Sequence, residues 1–367
     1  MSDNAVRADR LLMGPGPVNV YPRALEAASR PMMGHLDPIF LQILDETNER
    51  LRTVFRTDNR LTFPISGTGS AGMQAAFVNW IGPGDVVVVG VNGVFGARMC
   101  DVAERLGAEV VRVDHAWGQP ISAERVLAAH PSPAMIALVH AETSTGVRSD
   151  VAPIGKGKGD ALLVMDCVTS VGGIPVEVDS WGVDIAYSGT QKCLGCAPGL
   201  SPFTASARAV ERLLPRPTSW YLDLNLIANY VDGESGRAYH HTAPINEIRG
   251  LHAGLGTILD EGLDAVFERH ATCGAALAEG LAAYGFTPFA AVDHRLPHLV
   301  TAYLPEGLDD AGARAALLNE YDIEVGGGLG DVAGKIWRVS AMGNSARMVN
   351  VNTLLAALAK VVERYTG

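Results

Sequence analysis

The chain has 367 residues, enough for one large domain and a smaller one, and its 48% hydrophobic and 19% charged residues lie well outside the composition of chains that stay disordered. A formal net charge of −11 with no Lys/Arg block argues against a nucleic-acid partner. No apolar run approaches the ~20 residues that span a bilayer, so no membrane partner is expected.

In chain order, the N-terminus from Met1 to Arg10 is polar and lacks the apolar stretch of a signal peptide. From about residue 61 to 204, short β-branched runs alternate with helical stretches, the pattern of parallel strands joined by crossover helices. Strands are predicted at 61–65, 85–91, 110–113, 135–140, 161–165 and 183–187, each apolar enough for burial on both faces. Residues 71–80, 96–106 and 123–129 carry apolar side chains at helical spacing and read as covering helices. The crossover at 154–160 holds three glycines, which predicts a short or broken helix at the surface. A polar, loop-like stretch follows at 232–237. Residues 244–284 form a long helical pattern that could link two domains. Beyond them a smaller α/β domain is predicted, with strands at 299–304, 323–325 and 336–340 and helices at 310–321 and 347–365.

Five cysteines, Cys100, Cys167, Cys193, Cys196 and Cys273, are few and odd in number. That suits reduced thiols in a cytoplasmic chain better than a disulfide framework.

Three stretches carry chemistry. Ser188-Gly189-Thr190-Gln191-Lys192 follows the strand at 183–187 and sets one lysine on a tight turn at a strand end, where open α/β sheets place ligands. A desolvated lysine beside another cation loses its proton more readily and attacks carbonyl carbons, although most lysines are solvated surface groups. Asp166 ends the strand at 161–165. A carboxylate there can pair with a protonated pyridine nitrogen and keep such a ring an electron sink; the blander role is a turn or helix cap. Ser66-Gly67-Thr68-Gly69-Ser70-Ala71-Gly72 lies between a strand and a helix and outlines an anion cradle, though many Gly/Ser turns only cap helices.

Together with Gly14-Pro15-Gly16-Pro17, His140-Ala141-Glu142-Thr143-Ser144-Thr145-Gly146-Val147, Tyr239-His240-His241-Thr242 and Gly334-Lys335-Ile336-Trp337-Arg338, these motifs resemble the class V aminotransferases of fold type I. The resemblance is to the branch of alanine–glyoxylate and serine–pyruvate or serine–glyoxylate aminotransferases, and it covers nearly the whole chain. It implies an α/β fold: a large pyridoxal-phosphate-binding domain, 21–245, with a mostly parallel seven-stranded-type sheet covered by helices, and a small C-terminal α/β domain, 246–367. Residues 1–20 would be an arm contributing to the active site and to a homodimer.

Carried over residue by residue, the resemblance makes Lys192 the Schiff-base lysine and proton shuttle, and Asp166 the partner of the pyridine nitrogen. Phe95 and Val168 would pack the two ring faces, with Thr143 near the ring. Gly69, Ser70 and Gln191 would bind the phosphate, joined by Tyr239 and Thr242 of the neighbouring subunit. Arg338 would grip the substrate carboxylate through a charge-assisted fork, with Gly16 also at the substrate; the plainer role for Arg338 is a surface salt bridge. The implied reaction is a ping-pong transfer from alanine or serine to glyoxylate or pyruvate. A ureidoglycine–glyoxylate aminotransferase is the nearest rival. A cysteine desulfurase-like lyase would need a mobile cysteine that Cys193 and Cys196, beside Lys192, do not supply, and a non-catalytic regulatory module would need a DNA-binding appendage. Cys193-Leu194-Gly195-Cys196 has no second pair to complete a metal site. His240 and His241, adjacent on an extended segment, are expected on opposite faces and so not as metal ligands.

Overall fold

The computed structural model describes residues 9–231 and 237–366, so the loop-like stretch read at 232–237 lies outside them except for Arg237. At its centre is a seven-stranded sheet in the order Leu61–Ser66, Leu200–Ala205, Ile185–Tyr187, Leu162–Asp166, Met135–Val139, Val86–Val91, Glu109–Asp114. All six strands expected from the sequence are there. The seventh, Leu200–Ala205, was not expected, and it runs antiparallel to both neighbours while the other pairings are parallel. Pro202 masks it, because proline in a central strand is a counter-signal.

Successive residues of the central strands feed opposite cores, as the two-residue period requires. Val88, Ile136, Leu138, Leu163 and Met165 face one, against the helices Pro38–Phe55 and Ile245–Glu261. Val87, Val89, Ala137, Leu162 and Val164 face the other, against Gly69–Val78 and Val94–Arg105. The near-continuous apolar runs in the sequence are therefore two interleaved cores.

The glycine-rich crossover is a six-residue helix, Ala152–Gly157. Its glycines have a packing reason. A Cβ on Gly155 would overlap the carbonyl oxygen of Trp181, and one on Gly157 would overlap the side chain of Leu127. Backbone approach decides these positions, ahead of helix propensity.

The long helical pattern at 244–284 is two helices, Ile245–Glu261 and Leu263–Ala283, parted at Gly262 with φ 89°. Beyond them lies a four-stranded antiparallel sheet in the order Thr287–Pro288, Leu299–Tyr303, Ile336–Ser340, Gly326–Gly327, covered by Asp310–Tyr321 and Met348–Tyr365. One expected strand of that sheet is elsewhere. Ile323–Glu324 pairs in parallel with Leu11–Leu12, because the start of the chain is built into this end of the molecule. Met13 is fully buried in the same core as Trp337 and Leu354, and Ser340 N donates to Met13 O at 2.7 Å. The segment that follows is thereby laid beside the strand bearing Arg338. Among the described residues no helix is long and apolar enough to cross a membrane.

Gly155→Ala should lower the unfolding free energy by about 1–3 kcal/mol, the usual range for overpacking. A denaturant midpoint equal to that of the wild type would show that the approach to Trp181 constrains nothing.

Candidate active site

Most of the candidate site follows the carboxyl ends of strands in the seven-stranded sheet, where open α/β folds bind ligands; Gly16 and Arg338 come from elsewhere. Residues 67–70 follow Ser66, Val94 and Phe95 follow Val91, Glu142 and Thr143 follow Val139, Asp166 ends its strand, and Lys192 lies on the turn after Tyr187.

Lys192 is only 8% exposed. Its Nζ donates to the carbonyl of Pro15, so the N-terminal segment supplies the polar partner that a buried amine requires. Gly16, at φ 102°, presses on the same side chain: a Cβ there would sit 2.6 Å from Nζ. Any side chain at 16 would displace the lysine. Burial, and after it the charge of Arg338, pushes the amine down to about 8, which leaves a nucleophilic fraction near neutral pH.

Asp166 is buried. Its Oδ1 accepts from Val168 N at 2.9 Å and its Oδ2 from the hydroxyl of Tyr187 at 2.8 Å. Burial drives its carboxyl up to about 7 against those two donors, so a cation placed beside it would return it to the ionised form. Tyr187 had no role in the sequence reading, where it is one more apolar strand residue. Parallel register sets it opposite Asp166 on the next strand.

The helix Gly69–Val78 opens without a side-chain cap, which suits an anion at its N-terminus. Gly69 is buried against Val168, and Ser70 is exposed. Gln191 Oε1 is buried and has no hydrogen-bond partner among the described residues. That oxygen calls for a donor that the described residues do not supply, whereas the amide nitrogen of the same side chain is the group able to donate to an anion. Phe95 stands half-buried on the first turn of Val94–Arg105, and Val168 is half-buried between Asp166 and Gly69. Thr143 is buried and shares a hydrogen bond with the hydroxyl of Thr169. These features fit a phosphorylated pyridine aldehyde: an amine for the aldehyde, a carboxylate for a ring nitrogen, and a helix N-terminus for the phosphate.

Arg338, on the strand Ile336–Ser340, is 8% exposed. Its Nε donates to Gly327 O at 2.8 Å, and among the described residues no carboxylate forms an ion pair with it. Burial lowers it to about 10. The surface salt-bridge alternative therefore fails, because this guanidinium is neither at the surface nor paired. A buried cation without a counter-ion is costly unless a ligand supplies one.

Among the described residues neither Tyr239 nor Thr242 hydrogen-bonds to Lys192. Tyr239 is 59% exposed, its hydroxyl lies 3.4 Å from Thr242 Oγ1, and its ring lies 5.1 Å from that of His35. His240 and His241 do not point apart. Their Nδ1 atoms are 2.6 Å apart, His240 Nε2 meets Trp220 O at 3.1 Å, and His241 Nε2 meets Ser66 Oγ at 2.8 Å. Residues 237–240 form no strand, so strand alternation does not apply to them. Among the described residues no group of His, Cys, Asp and Glu is arranged to hold a metal. Cys193 and Cys196 are buried, their thiols bonded to Thr169 O and Leu194 O and pushed by burial up to about 12. Neither is a mobile nucleophile of the kind a desulfurase-like lyase uses.

The family model described as Aminotransferase class-V matches residues 19–349. Of curated proteins, the (S)-ureidoglycine–glyoxylate transaminase of Bacillus subtilis is 38% identical, with 98% of this chain and 92% of that protein covered. Alanine–glyoxylate aminotransferase of Drosophila melanogaster is 37% identical over 96% of this chain and 92% of its own length. Of solved structures, the alanine–glyoxylate aminotransferase from Nostoc sp. superposes with a TM-score of 0.93 at 47% identity, covering 96% of this chain and 95% of that one.

Capture of Lys192 by a small aldehyde, trapped with borohydride, should speed up as pH rises through about 8, where the amine loses its proton. Arg338→Gln removes a nearby positive charge and should move that midpoint upward. An unmoved midpoint would mean that the two cations do not sense one another.

Proposed function

Because this chain belongs to the class-V aminotransferases and is a transaminase, we propose that it uses pyridoxal 5′-phosphate, held through Lys192, to carry the amino group of alanine or serine to glyoxylate or pyruvate. The observation that carries this reading is the pair of buried cations: an amine lowered to about 8, and an unpaired guanidinium whose charge is felt by that amine. One accepts a carbonyl carbon and the other a carboxylate.

When bound, pyridoxal phosphate supplies an electrophilic aldehyde and a ring that takes up the electron pair left when an α-proton departs. With that group bound, Lys192 Nζ would hold its aldehyde carbon and serve as the base that moves the substrate α-proton. Asp166 keeps a proton on the ring nitrogen, with its own carboxylate steadied by Val168 N and Tyr187. Phe95 and Val168 would hold the cofactor's ring, with Thr143 nearby. Gly69, Ser70 and Gln191 receive the phosphate at the uncapped helix N-terminus. Arg338 would fork onto the substrate carboxylate, and Gly16, which leaves room for the side chain of Lys192, would lie at the substrate. The donor would leave as its 2-oxo acid by hydrolysis, and a different 2-oxo acid would then take up the amino group.

We assign Tyr239 and Thr242 to the phosphate site of the partner subunit in a homodimer with shared active sites. Their exposure, and the lack of a hydrogen bond from either to residues 66–72 among the described residues, support that reading. The cytoplasm is its expected compartment, in keeping with five free thiols, all buried. Both kinds of curated relative are named for glyoxylate, which favours it as acceptor. The 38% identity to the Bacillus subtilis protein keeps ureidoglycine as the second candidate donor.

Single amino acids added to the cofactor-loaded enzyme, one at a time, should convert its cofactor to the aminated form, alanine or serine fastest. Faster conversion by ureidoglycine would replace them as donor, and production of alanine and sulfide from cysteine would overturn the transaminase reading. Arg338→Ala should lower kcat/KM for each carboxylate donor roughly a hundredfold, the worth of about 3 kcal/mol in charge-assisted hydrogen bonds. Undiminished turnover would remove Arg338 from the site.

A further inference from the structure

Phe95 stands on a helix turn that has no cap of its own. The residue before the helix Val94–Arg105 is Gly93, with no side chain to accept from the free N–H groups of the first turn. The acceptors arrive from another loop. Glu142 Oε2 accepts from Phe95 N at 3.2 Å and from Gly96 N at 3.4 Å, and Ser144 Oγ accepts from Val94 N at 2.9 Å. Glu142 Oε1 in turn accepts from Ser144 N at 3.0 Å and from Ser144 Oγ at 2.5 Å.

Two donors on each oxygen fill the roughly four lone-pair sites of an ionised carboxylate, which leaves no place for a proton. Glu142 is nevertheless completely buried. Burial pushes its carboxyl up, and the donors with the positive end of the helix dipole pull the other way. Gly93 is part of the same device: a Cβ there would overlap Ser144 Oγ and sit 2.5 Å from Glu142 Cγ.

We propose that Glu142 is a positioning residue of the transamination site, an ionised carboxylate that clamps the first turn of the helix Val94–Arg105 and so fixes the ring of Phe95 against the cofactor. The proposal rests on Phe95 being the stacking residue. Strand register favours it, since Val86–Val91 and Met135–Val139 are neighbours in the sheet and their carboxyl-end loops emerge side by side. Thr143 lies between the clamp's two residues in the chain, but its hydroxyl is held separately, by that of Thr169. Glu142 also favours the charge on Arg338 and disfavours one on Asp166, which places it electrostatically between the substrate and ring-nitrogen ends of the site.

Glutamine at this position keeps the shape but offers one oxygen and an amino group, which would face two backbone N–H donors. Glu142→Gln should therefore weaken pyridoxal phosphate binding about tenfold, as loss of charge-assisted bonds to a buried first turn predicts. It should also diminish the visible circular dichroism of the cofactor at saturation, a signal of ring orientation that a general loss of stability would not change. Glu142→Asp, which keeps the charge, should recover part of both. The decisive comparison is a double-mutant cycle with Phe95→Ala. If Glu142 acts through Phe95, adding Glu142→Gln to Phe95→Ala should cost less than about twofold in affinity. Should Glu142→Gln not fold, Ser144→Ala cuts one link of the clamp and enters the cycle in its place.

Additive losses in the cycle would overturn the proposal, as would wild-type affinity in Glu142→Gln or in Phe95→Ala. A borohydride-trapped adduct at Lys192 in the wild-type holoenzyme reports the transaminase reading separately. Adduct with additive losses sinks only the role of Glu142; no adduct sinks the function on which it rests.

Discussion

Burial of one amine is the constraint on which the arrangement depends. Lys192 can be stripped of water only if something else receives its hydrogen bond, and that acceptor is the carbonyl of Pro15. For Pro15 to stand there, the chain's beginning must be anchored. Leu11–Leu12 pairs with Ile323–Glu324, Met13 is buried in the C-terminal core, and Ser340 bonds to both Met13 and Gly14. The lysine of the large sheet is thus held by a segment secured to the small one, and the strand of Arg338 is drawn against the same segment.

The same desolvation acts on every ionisable group of the site and moves each toward its neutral form. Lys192 and Arg338 are pushed down, and Asp166 and Glu142 are pushed up. A site tuned in this way is poised for charged ligands, because a substrate carboxylate and a cationic ring nitrogen each supply the counter-charge that burial has withheld. Glu142 differs from the other three in having all its hydrogen bonds already satisfied within the chain. It is fitted to hold structure, and in the proposed function the others meet substrate or cofactor.

The sheet explains why the site is compact. Its parallel strands end together, so loops distant in sequence converge, and cross-strand register sets Tyr187 opposite Asp166 and brings the loop of Glu142 beside that of Phe95. No single loop contains the chemistry. Each contributes one or two groups, and the β-branched strands between them hold the spacing.

Local chemistry in the chain was enough for the six parallel strands, the strand-end lysine and aspartate, and the glycine-rich turn before a helix, because each depends on hydrophobic period and short-range turn geometry. Family likeness carried the reading on to Arg338 and the ring contacts. Other features depended on approaches between segments far apart in the chain. The antiparallel strand Leu200–Ala205 is hidden by Pro202 and is defined by its neighbours, and Ile323–Glu324 found its partner more than three hundred residues away. The hydroxyl of Tyr187 on Asp166, the bonded ring nitrogens of His240 and His241, and the carboxylate of Glu142 at the start of another helix were likewise decided by tertiary structure. Period and turn propensity act over a few residues, whereas hydrogen bonding across a fold depends on which loops the sheet brings together.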